Sequence, residues 1–357
     1  MNPLIKYGAS ERFLAEAALC PDLRLARVTA QYKDLYKIVT DEGETLAEVS
    51  GKFRYEADRL SDFPAVGDFV MAAYGAPGSG NAVIHRVLQR KSVFARTAVG
   101  MDDEAQVVAA NIDVVFICMS LNNDYNPSRL ERYLSVAWDS RATPVVVLTK
   151  SDLCENLPVV LSEVSGIALG ADVVAVSSFD RASGEKLLAY LTPGVTASFI
   201  GSSGVGKSTL INCLAGSELL KTSEIRQDDK GRHTTTRREL IVLPQGGVVI
   251  DTPGMRELGV ESADLGKSFS DIDELSDKCR FRDCTHTTEP GCAVRQALET
   301  GRLDRRRLEN YRKLKREARY GSLSSRQIDE EKINTMFGGK AAMKQAKDFV
   351  KKKNKRR

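Results

Sequence analysis

The chain has 357 residues, of which 42% are apolar, and a formal net charge of +4, so its length favours two or three domains with real cores. No stretch approaches the roughly 20 apolar residues of a membrane-spanning helix, and early charged residues argue against a secretory signal peptide. Seven cysteines without such a signal favour a reducing compartment, so we expect a cytoplasmic protein that does not associate with membranes.

The first 97 residues combine a short helical extension, residues 1–24, with a series of short strands. From residue 25 onward, short apolar runs alternate with turn signals such as Pro77-Gly78. Five or so such strands are typical of a small β-barrel, and the number suits an oligonucleotide-binding barrel. The pattern is weakly specific, so another type of β-domain is the alternative.

Between Asn111 and Asp251, apolar strands alternate with helices. The predicted strands are 112–119, 144–148, 172–176, 197–200, 239–243 and 248–250, and the predicted helices are 127–140, 157–168, 184–191 and 207–215. This alternation implies crossover connections and a mostly parallel sheet. The polar segment 221–238 is expected to be a mobile loop.

A phosphate-binding loop is the strongest chemical signal in the chain. Its residues are Gly201, Ser202, Ser203, Gly204, Val205, Gly206, Lys207, Ser208 and Thr209. The glycines let successive backbone amides face phosphates at the start of a helix. In this pattern Lys207 reaches the β- and γ-phosphates, and the Ser208 hydroxyl binds Mg²⁺.

Two further segments predict a nucleotide switch. Asp251 ends an apolar strand and is expected to hold Mg²⁺, while the Gly254 amide is expected to sense the γ-phosphate. In the polar loop before them, a threonine would complete the Mg²⁺ shell only when the γ-phosphate is present. Thr235 is our first choice for this threonine and Thr234 is the second.

The group that positions the attacking water is not the usual one. Signalling GTPases place a glutamine directly after the Asp-x-x-Gly motif, but this chain has Met255 there, which cannot orient water. We hypothesise that His233, in the polar loop, performs this catalytic function. The alternative is that His233 shapes the loop or contacts a partner.

A third motif identifies the base. Its residues are Thr149, Lys150, Ser151 and Asp152, with a second base-contacting loop at Ser177 and Ser178. Asp152 can accept hydrogen bonds from both the ring N–H and the amino group of guanine, a donor pair that adenine lacks. The Lys150 stem would pack over the purine. Thr149 replaces the usual asparagine and can hold the loops with fewer hydrogen bonds, which would weaken guanine binding. GTP is therefore expected, and ATP is a minor alternative.

The order of these motifs is that of a circularly permuted GTPase. In most GTPases the base motif follows the phosphate loop and the switch, whereas here it precedes both. The permutation places one module ahead of the base motif and another directly after Asp251.

A cysteine and histidine cluster follows the switch. Its members are Cys279, Cys284, His286 and Cys292. Three thiols and one imidazole are the ligands of a closed tetrahedral zinc site. Since no coordination position would be open, we expect the zinc to be structural. Free thiols are the alternative.

The C-terminal part of the chain is strongly basic. Residues 302–357 hold 20 Lys and Arg against 7 Asp and Glu. Within 303–319 an apolar stripe predicts a helix, formed by Leu308, Tyr311, Leu314 and Ala318. Such a basic region favours nucleic acid as a partner, and the alternative is a solubilising tail.

Taken in this order, the motifs resemble the ribosome small-subunit-dependent GTPase A family. Further similar segments are Gly51–Arg54, Val66–Asp68, Arg90–Arg96, Gly231–Thr236 and Asp251–Glu257. The resemblance implies an oligonucleotide-binding barrel, a permuted GTPase and a helical zinc domain. The expected domains are 25–97, 98–262 and 263–320, flanked by the extension 1–24 and the basic tail 321–357.

The resemblance also implies a function. It predicts a GTP hydrolase that binds the small ribosomal subunit and its RNA near the decoding region, late in assembly, with hydrolysis stimulated by the subunit. GTP and GDP with Mg²⁺ and one structural Zn²⁺ are the expected ligands, and a monomer is expected. Two other classes are an RNA-binding nucleotide switch with negligible turnover and an ATP-dependent enzyme or kinase.

Overall fold

The structure is a computed structural model that describes residues 3–74, 80–97, 105–122, 124–177, 181–220, 239–251 and 265–321. The strands are β1 Arg24–Gln31, β2 Tyr36–Thr40, β3 Gly43–Val49, β4 Phe69–Ala73, β5 Ala82–Val87, β6 Val93–Thr97, β7 Ala105–Ala110, β8 Val114–Ser120, β9 Thr143–Thr149, β10 Asp172–Ala175, β11 Thr196–Gly201, β12 Glu239–Val242 and β13 Val248–Asp251. The helices are α1 Glu11–Ala17, α2 Gly51–Glu56, α3 Pro127–Asp139, α4 Leu157–Ile167, α5 Arg181–Leu188, α6 Lys207–Ala215, α7 Ser270–Ser276, α8 Ala293–Glu299 and α9 Arg305–Gly321. Among these helices, none is both long enough and apolar enough to cross a membrane.

The first five strands form a closed barrel. Their order is β1-β2-β3-β5-β4, and β4 returns to pair with β1. Alternate residues point inward, so apolar side chains such as Val28, Ile38 and Ile84 fill the interior. This confirms the predicted barrel, whose strand order is consistent with the oligonucleotide-binding fold. The N-terminal extension packs on it, since the Phe13 ring stacks on Phe69 with centroids 4.1 Å apart.

The central sheet is mostly parallel, as predicted. Its parallel strands lie in the order β10-β9-β8-β11-β13, and β12 joins antiparallel beside β13. The inner strands β8 and β9 are buried along almost their whole length, as expected for strands covered on both faces. The carboxyl ends of β9, β11 and β13 therefore meet at one edge of the sheet, where ligands of α/β proteins bind.

The barrel and the central sheet are joined by backbone pairing. Ala30 of β1 pairs with Glu239 of β12, so that eleven strands form one continuous sheet. Strands β6 and β7 form a separate two-stranded sheet, in which Val93 pairs with Ala110. The expected domain limit between residues 97 and 98 thus falls between two paired strands, and the domain limits stay predictions.

The C-terminal helices pack on α3 through a buried polar network. Glu131 of α3 is fully buried and accepts a hydrogen bond of 3.0 Å from Arg307 of α9. Arg307 also donates to Asp271 of α7 at 2.7 Å, and Asn310 donates a further hydrogen bond to Glu131. A buried charge is tolerated only when it is paired in this way, so the network sets one arrangement of the three helices.

Candidate nucleotide and metal sites

The phosphate loop connects β11 to α6 under tight steric limits. Gly201 has a φ of +145°, and a Cβ atom there would lie 2.4 Å from the carbonyl oxygen of Cys118. Gly206 precedes α6 in the left-handed region, at φ +100°, which favours glycine. The Lys207 ammonium group donates to the carbonyl oxygens of Gly201, at 2.8 Å, and Ser202, at 2.7 Å. It therefore lies across the loop, where a phosphate oxygen can replace these acceptors.

The two predicted magnesium ligands lie on neighbouring elements. Asp251 ends β13, and Ser208 is in the first turn of the helix that follows the adjacent strand β11. Burial raises the pKa of the Asp251 carboxyl group above its usual value, and the nearby Lys207 ammonium group opposes only part of that shift. A hydroxyl and a carboxylate beside the phosphate loop are the hard oxygen ligands that Mg²⁺ accepts, so the residues fit the ion.

Thr149 connects the base motif to the phosphate loop. Its side chain is buried, and its hydroxyl donates a hydrogen bond of 2.7 Å to the carbonyl oxygen of Val205. Val205 is itself a buried member of the phosphate loop. A single hydrogen bond from threonine thus holds the two loops together.

The carboxylate that is predicted to recognise the base, that of Asp152, is held from a second loop. The Ser177 hydroxyl donates to Oδ1 of the exposed Asp152 at 2.6 Å. The Ser177 amide in turn donates to the hydroxyl of Ser183, at 3.0 Å, in α5. Lys150 has a φ of +56°, a left-handed conformation that reverses the chain before Asp152. Ser183 was not predictable as a member of this site, because a serine within a helix carries no sequence signal for this contact.

Asp152→Asn is expected to change the preferred base from guanine to xanthine. Xanthine has a carbonyl oxygen where guanine has an amino group, and the asparagine NH₂ group can donate to that oxygen. With guanine, the same NH₂ group would face the amino group, so two donors would oppose each other. We expect the ratio of kcat/KM for GTP to that for XTP to fall by at least about a hundredfold. Asp172→Asn, at the amino end of the neighbouring strand β10, is the matched control, and an unchanged ratio in Asp152→Asn would contradict the assignment.

The cysteine and histidine cluster has the dimensions of a zinc site. The four ligand atoms of Cys279, Cys284, His286 and Cys292 all lie within 4.8 Å of one another. The Sγ atoms of Cys279 and Cys292 are 3.8 Å apart, and His286 Nδ1 is 3.6 Å and 3.5 Å from them. A zinc tetrahedron with Zn–S bonds of about 2.3 Å has sulfur–sulfur edges of about 3.8 Å. The distances among Cys279, His286 and Cys292 match such edges, and Cys284 lies close enough to supply the fourth ligand.

Residues around the cluster orient the His286 ring and favour the thiolate form of Cys279. The second ring nitrogen of His286 lies 3.2 Å from the Ser276 hydroxyl, which leaves Nδ1 facing the thiols. Burial raises the pKa of the Cys279 thiol, but hydrogen bonds from the backbone amides of Val294 and Ala293 contribute to a net lowering. Backbone amides at the start of α8 thus favour the thiolate that zinc requires.

Some predicted site residues lie outside the described residues. They are Ser178, His233, Thr234, Thr235, Gly254 and Met255, together with the basic tail beyond Gly321. The structure brings the other nucleotide-site residues to the carboxyl edge of the sheet and the four zinc-ligand candidates into one cluster.

The phosphate loop on β11, the aspartate at the end of β13 and the base motif at the end of β9 define a P-loop GTPase. Because β9 precedes β11 in the chain, this GTPase is circularly permuted. The chain belongs to the RsgA GTPase family, whose model matches residues 87–261. The protein is thus a GTP hydrolase that binds guanine nucleotides.

Relatives of nearly the same length support this assignment. Small ribosomal subunit biogenesis GTPase RsgA 2 of Lactiplantibacillus plantarum is 50% identical over 345 residues, which cover 96% of this chain and 97% of the relative. Small ribosomal subunit biogenesis GTPase RsgA 1 of Listeria innocua is 48% identical over 89% of this chain and 90% of its own. The resemblance predicted from the motifs is therefore confirmed.

Solved structures show the same fold. YjeQ from Thermotoga maritima superposes with a TM-score of 0.60 at 28% identity, covering 83% of this chain and 98% of that one. YloQ, described as a circularly permuted GTPase, has a TM-score of 0.59 at 23% identity, covering 84% of this chain and 96% of its own. A model of ABC transporters also matches residues 185–340, a range that contains the phosphate loop but omits the base motif at Thr149–Asp152.

Proposed function

We propose that this GTPase binds the small ribosomal subunit through its RNA, acts late in subunit assembly, and hydrolyses GTP faster when the subunit is bound. The observation that carries the proposal is the 50% identity, over 96% of the chain, to a relative named for small ribosomal subunit biogenesis. In the chain, the barrel precedes the nucleotide motifs and the C-terminal helices α7 to α9 follow them, so the protein offers two further parts that such a partner can contact.

The charge on α9 supports an RNA partner. Its exposed residues include Arg305, Lys313, Arg316 and Arg319. The basic sequence that follows α9 extends this positive charge. Neutralising phosphates with Lys and Arg releases counterions, so binding to subunits should weaken steeply as salt rises.

We further propose the following division of functions in the nucleotide site. Lys207 binds the β- and γ-phosphates, while Ser208 and Asp251 hold the Mg²⁺ that neutralises phosphate charge. Asp152 recognises guanine. Thr235, with Thr234 as the alternative, completes the magnesium shell, and the Gly254 amide senses the γ-phosphate. His233 positions the attacking water, because Met255 cannot.

The proposal is tested by titrating GTP turnover with purified small subunits and, separately, with large subunits. We expect small subunits to raise kcat by at least about tenfold and large subunits to leave it unchanged. His233→Ala should bind subunits normally but lose the stimulation. Equal responses to both subunits would contradict the proposed partner. Binding of small subunits without any turnover would favour the alternative of a nucleotide switch that does not hydrolyse.

A further inference from the structure

The barrel contacts the nucleotide sheet on the side that carries the switch aspartate. Glu239 of β12 pairs with Ala30 of the barrel strand β1 and, on its other side, with Asp251 of β13. One row of three paired residues therefore runs from the barrel to Asp251. The base motif, at the end of β9, lies on the other side of β11, separated from the barrel by β8, β11, β13 and β12.

A second contact is a close approach of two backbones. Gly67, in the turn before β4, has a φ of +94° and leaves no room for a side chain. A Cβ atom there would lie 2.2 Å from the carbonyl oxygen of Ala110 and 2.8 Å from the Cδ1 atom of Ile250. Ile250 directly precedes Asp251, so this turn of the barrel packs beside the switch aspartate.

A third contact is made by Arg27 of β1, whose side chain is fully buried at this junction. Its hydrogen-bond partners are the carbonyl oxygens of Tyr7, Gly67 and Asn111 and the hydroxyl of Thr196. The bond to Gly67 is 3.2 Å long and the bond to Thr196 is 3.0 Å long. Thr196 begins β11, the strand that ends in the phosphate loop. One guanidinium group thus binds the N-terminal segment, the barrel and the nucleotide sheet.

The burial of this charge makes the arrangement rigid. Burial lowers the pKa of Arg27 to about 10, and Asp113 and Asp68 oppose that shift, so the group stays protonated at neutral pH. A buried cation is costly unless its N–H groups have partners, and an arginine fork satisfies them in one geometry only. The Phe69 ring, with its centroid 4.8 Å from the guanidinium carbon, supports the same position.

We propose that Arg27 is a positioning residue for GTP hydrolysis, which fixes the barrel against β11 and β13 and so holds the phosphate loop and Asp251 in their working geometry. Base recognition on β9 does not depend on it. Displacements of about 1 Å at reacting groups cost up to about a hundredfold in rate, so a loosened junction should lower turnover before it lowers nucleotide affinity.

The test compares variants of the full-length chain in basal GTP turnover, normalised to the number of GDP-binding sites. Arg27→Met keeps the length of the side chain and removes its donors, and we expect kcat to fall by about tenfold. The Mg²⁺ concentration for half-maximal turnover should rise, because Asp251 is less well placed. The dissociation constant of GDP and the preference for guanine over adenine should stay within about twofold. Arg27→Lys, which keeps the charge but not the fork, should show an intermediate kcat.

Two further variants separate positioning from stability. Thr196→Val removes only the hydroxyl on β11 that accepts from Arg27 and keeps the shape of the side chain, so it should lower kcat by about threefold. If Arg27→Met does not fold, this variant alone tests the proposal. Arg307→Met is the matched control, because Arg307 is also a buried arginine but pairs with Glu131 and Asp271, at 3.0 Å and 2.7 Å, in the network of the C-terminal helices. The proposal is overturned if kcat and the Mg²⁺ requirement are unchanged in Arg27→Met and only the melting temperature falls. It is also overturned if Arg307→Met lowers kcat as much as Arg27→Met does.

Discussion

Lys207→Met is expected to lower GTP turnover by at least about a hundredfold, because it removes the cation that faces the developing charge on the phosphates. In the structure, the Lys207 ammonium group lies across the phosphate loop and donates hydrogen bonds to the carbonyl oxygens of Gly201 and Ser202. Methionine has a similar length and no charge, so α6 should keep its structure. Single-turnover hydrolysis and equilibrium binding of a non-hydrolysable GTP analogue together measure the loss of catalysis and of affinity.

Lys52→Met provides the control for this prediction. Lys52 is an exposed residue of helix α2 in the barrel, and its ammonium group pairs with Glu56 of the same helix at 3.8 Å. Its substitution removes the same charge from the chain and should leave hydrolysis unchanged. Turnover of Lys207→Met within about threefold of the parent would show that the lysine does not act on the phosphates.

Cys292→Ser is expected to abolish zinc binding and to destabilise the C-terminal helices by more than about 4 kcal/mol, as the loss of a structural metal does. The physical reason is the position of Cys292 directly before α8, where its Sγ accepts a hydrogen bond from the Arg295 amide. Val294 and Ala297 of α8 are fully buried in the same core cluster as Leu308 and Leu314 of α9. Without the metal, α8 loses the ligand that fixes its start against α7.

Metal analysis of the purified protein and thermal unfolding with and without a chelator measure this effect. We expect one zinc per chain in the parent and none in Cys292→Ser, with a lower melting temperature in the variant and in the chelated parent. Cys20→Ser, a half-buried cysteine outside the cluster, is the matched control and should keep its zinc. A metal-free parent whose unfolding does not respond to the chelator would contradict a structural zinc site.

Much of the nucleotide site could be predicted because the residues that bind phosphate and metal lie in short, recognisable sequence motifs. The glycines of the phosphate loop, the lysine that follows them and the aspartate that ends an apolar strand are separated by distances that phosphate and metal geometry dictate. The candidate zinc ligands lie within fourteen residues for the same reason. The short strands of the barrel were also predictable, but their pattern is weakly specific, and it is the pairing of β4 with β1 in the structure that closes them into a barrel.

Other contacts had no signal in the sequence. A threonine in place of asparagine at position 149 suggested a weaker hold on the loops, but whether its hydroxyl reaches the phosphate loop depends on how β9 and β11 are arranged. The hydrogen bond from Ser183 to the Ser177 amide depends in the same way on the position of α5. Neither residue type is specific for these contacts.

The sequence by itself determined the class of protein, the guanine nucleotide, the members of the candidate metal site and the permuted order of motifs, because each follows from residue types at short spacing. Only the tertiary structure decided how the three parts are joined. Arg27 meets Thr196 across 169 positions, and Glu131 meets Arg307 across 176. An arginine or glutamate in a sequence predicts an exposed side chain. Whether it is instead buried, paired and able to hold two domains together depends on which surfaces pack against each other after folding.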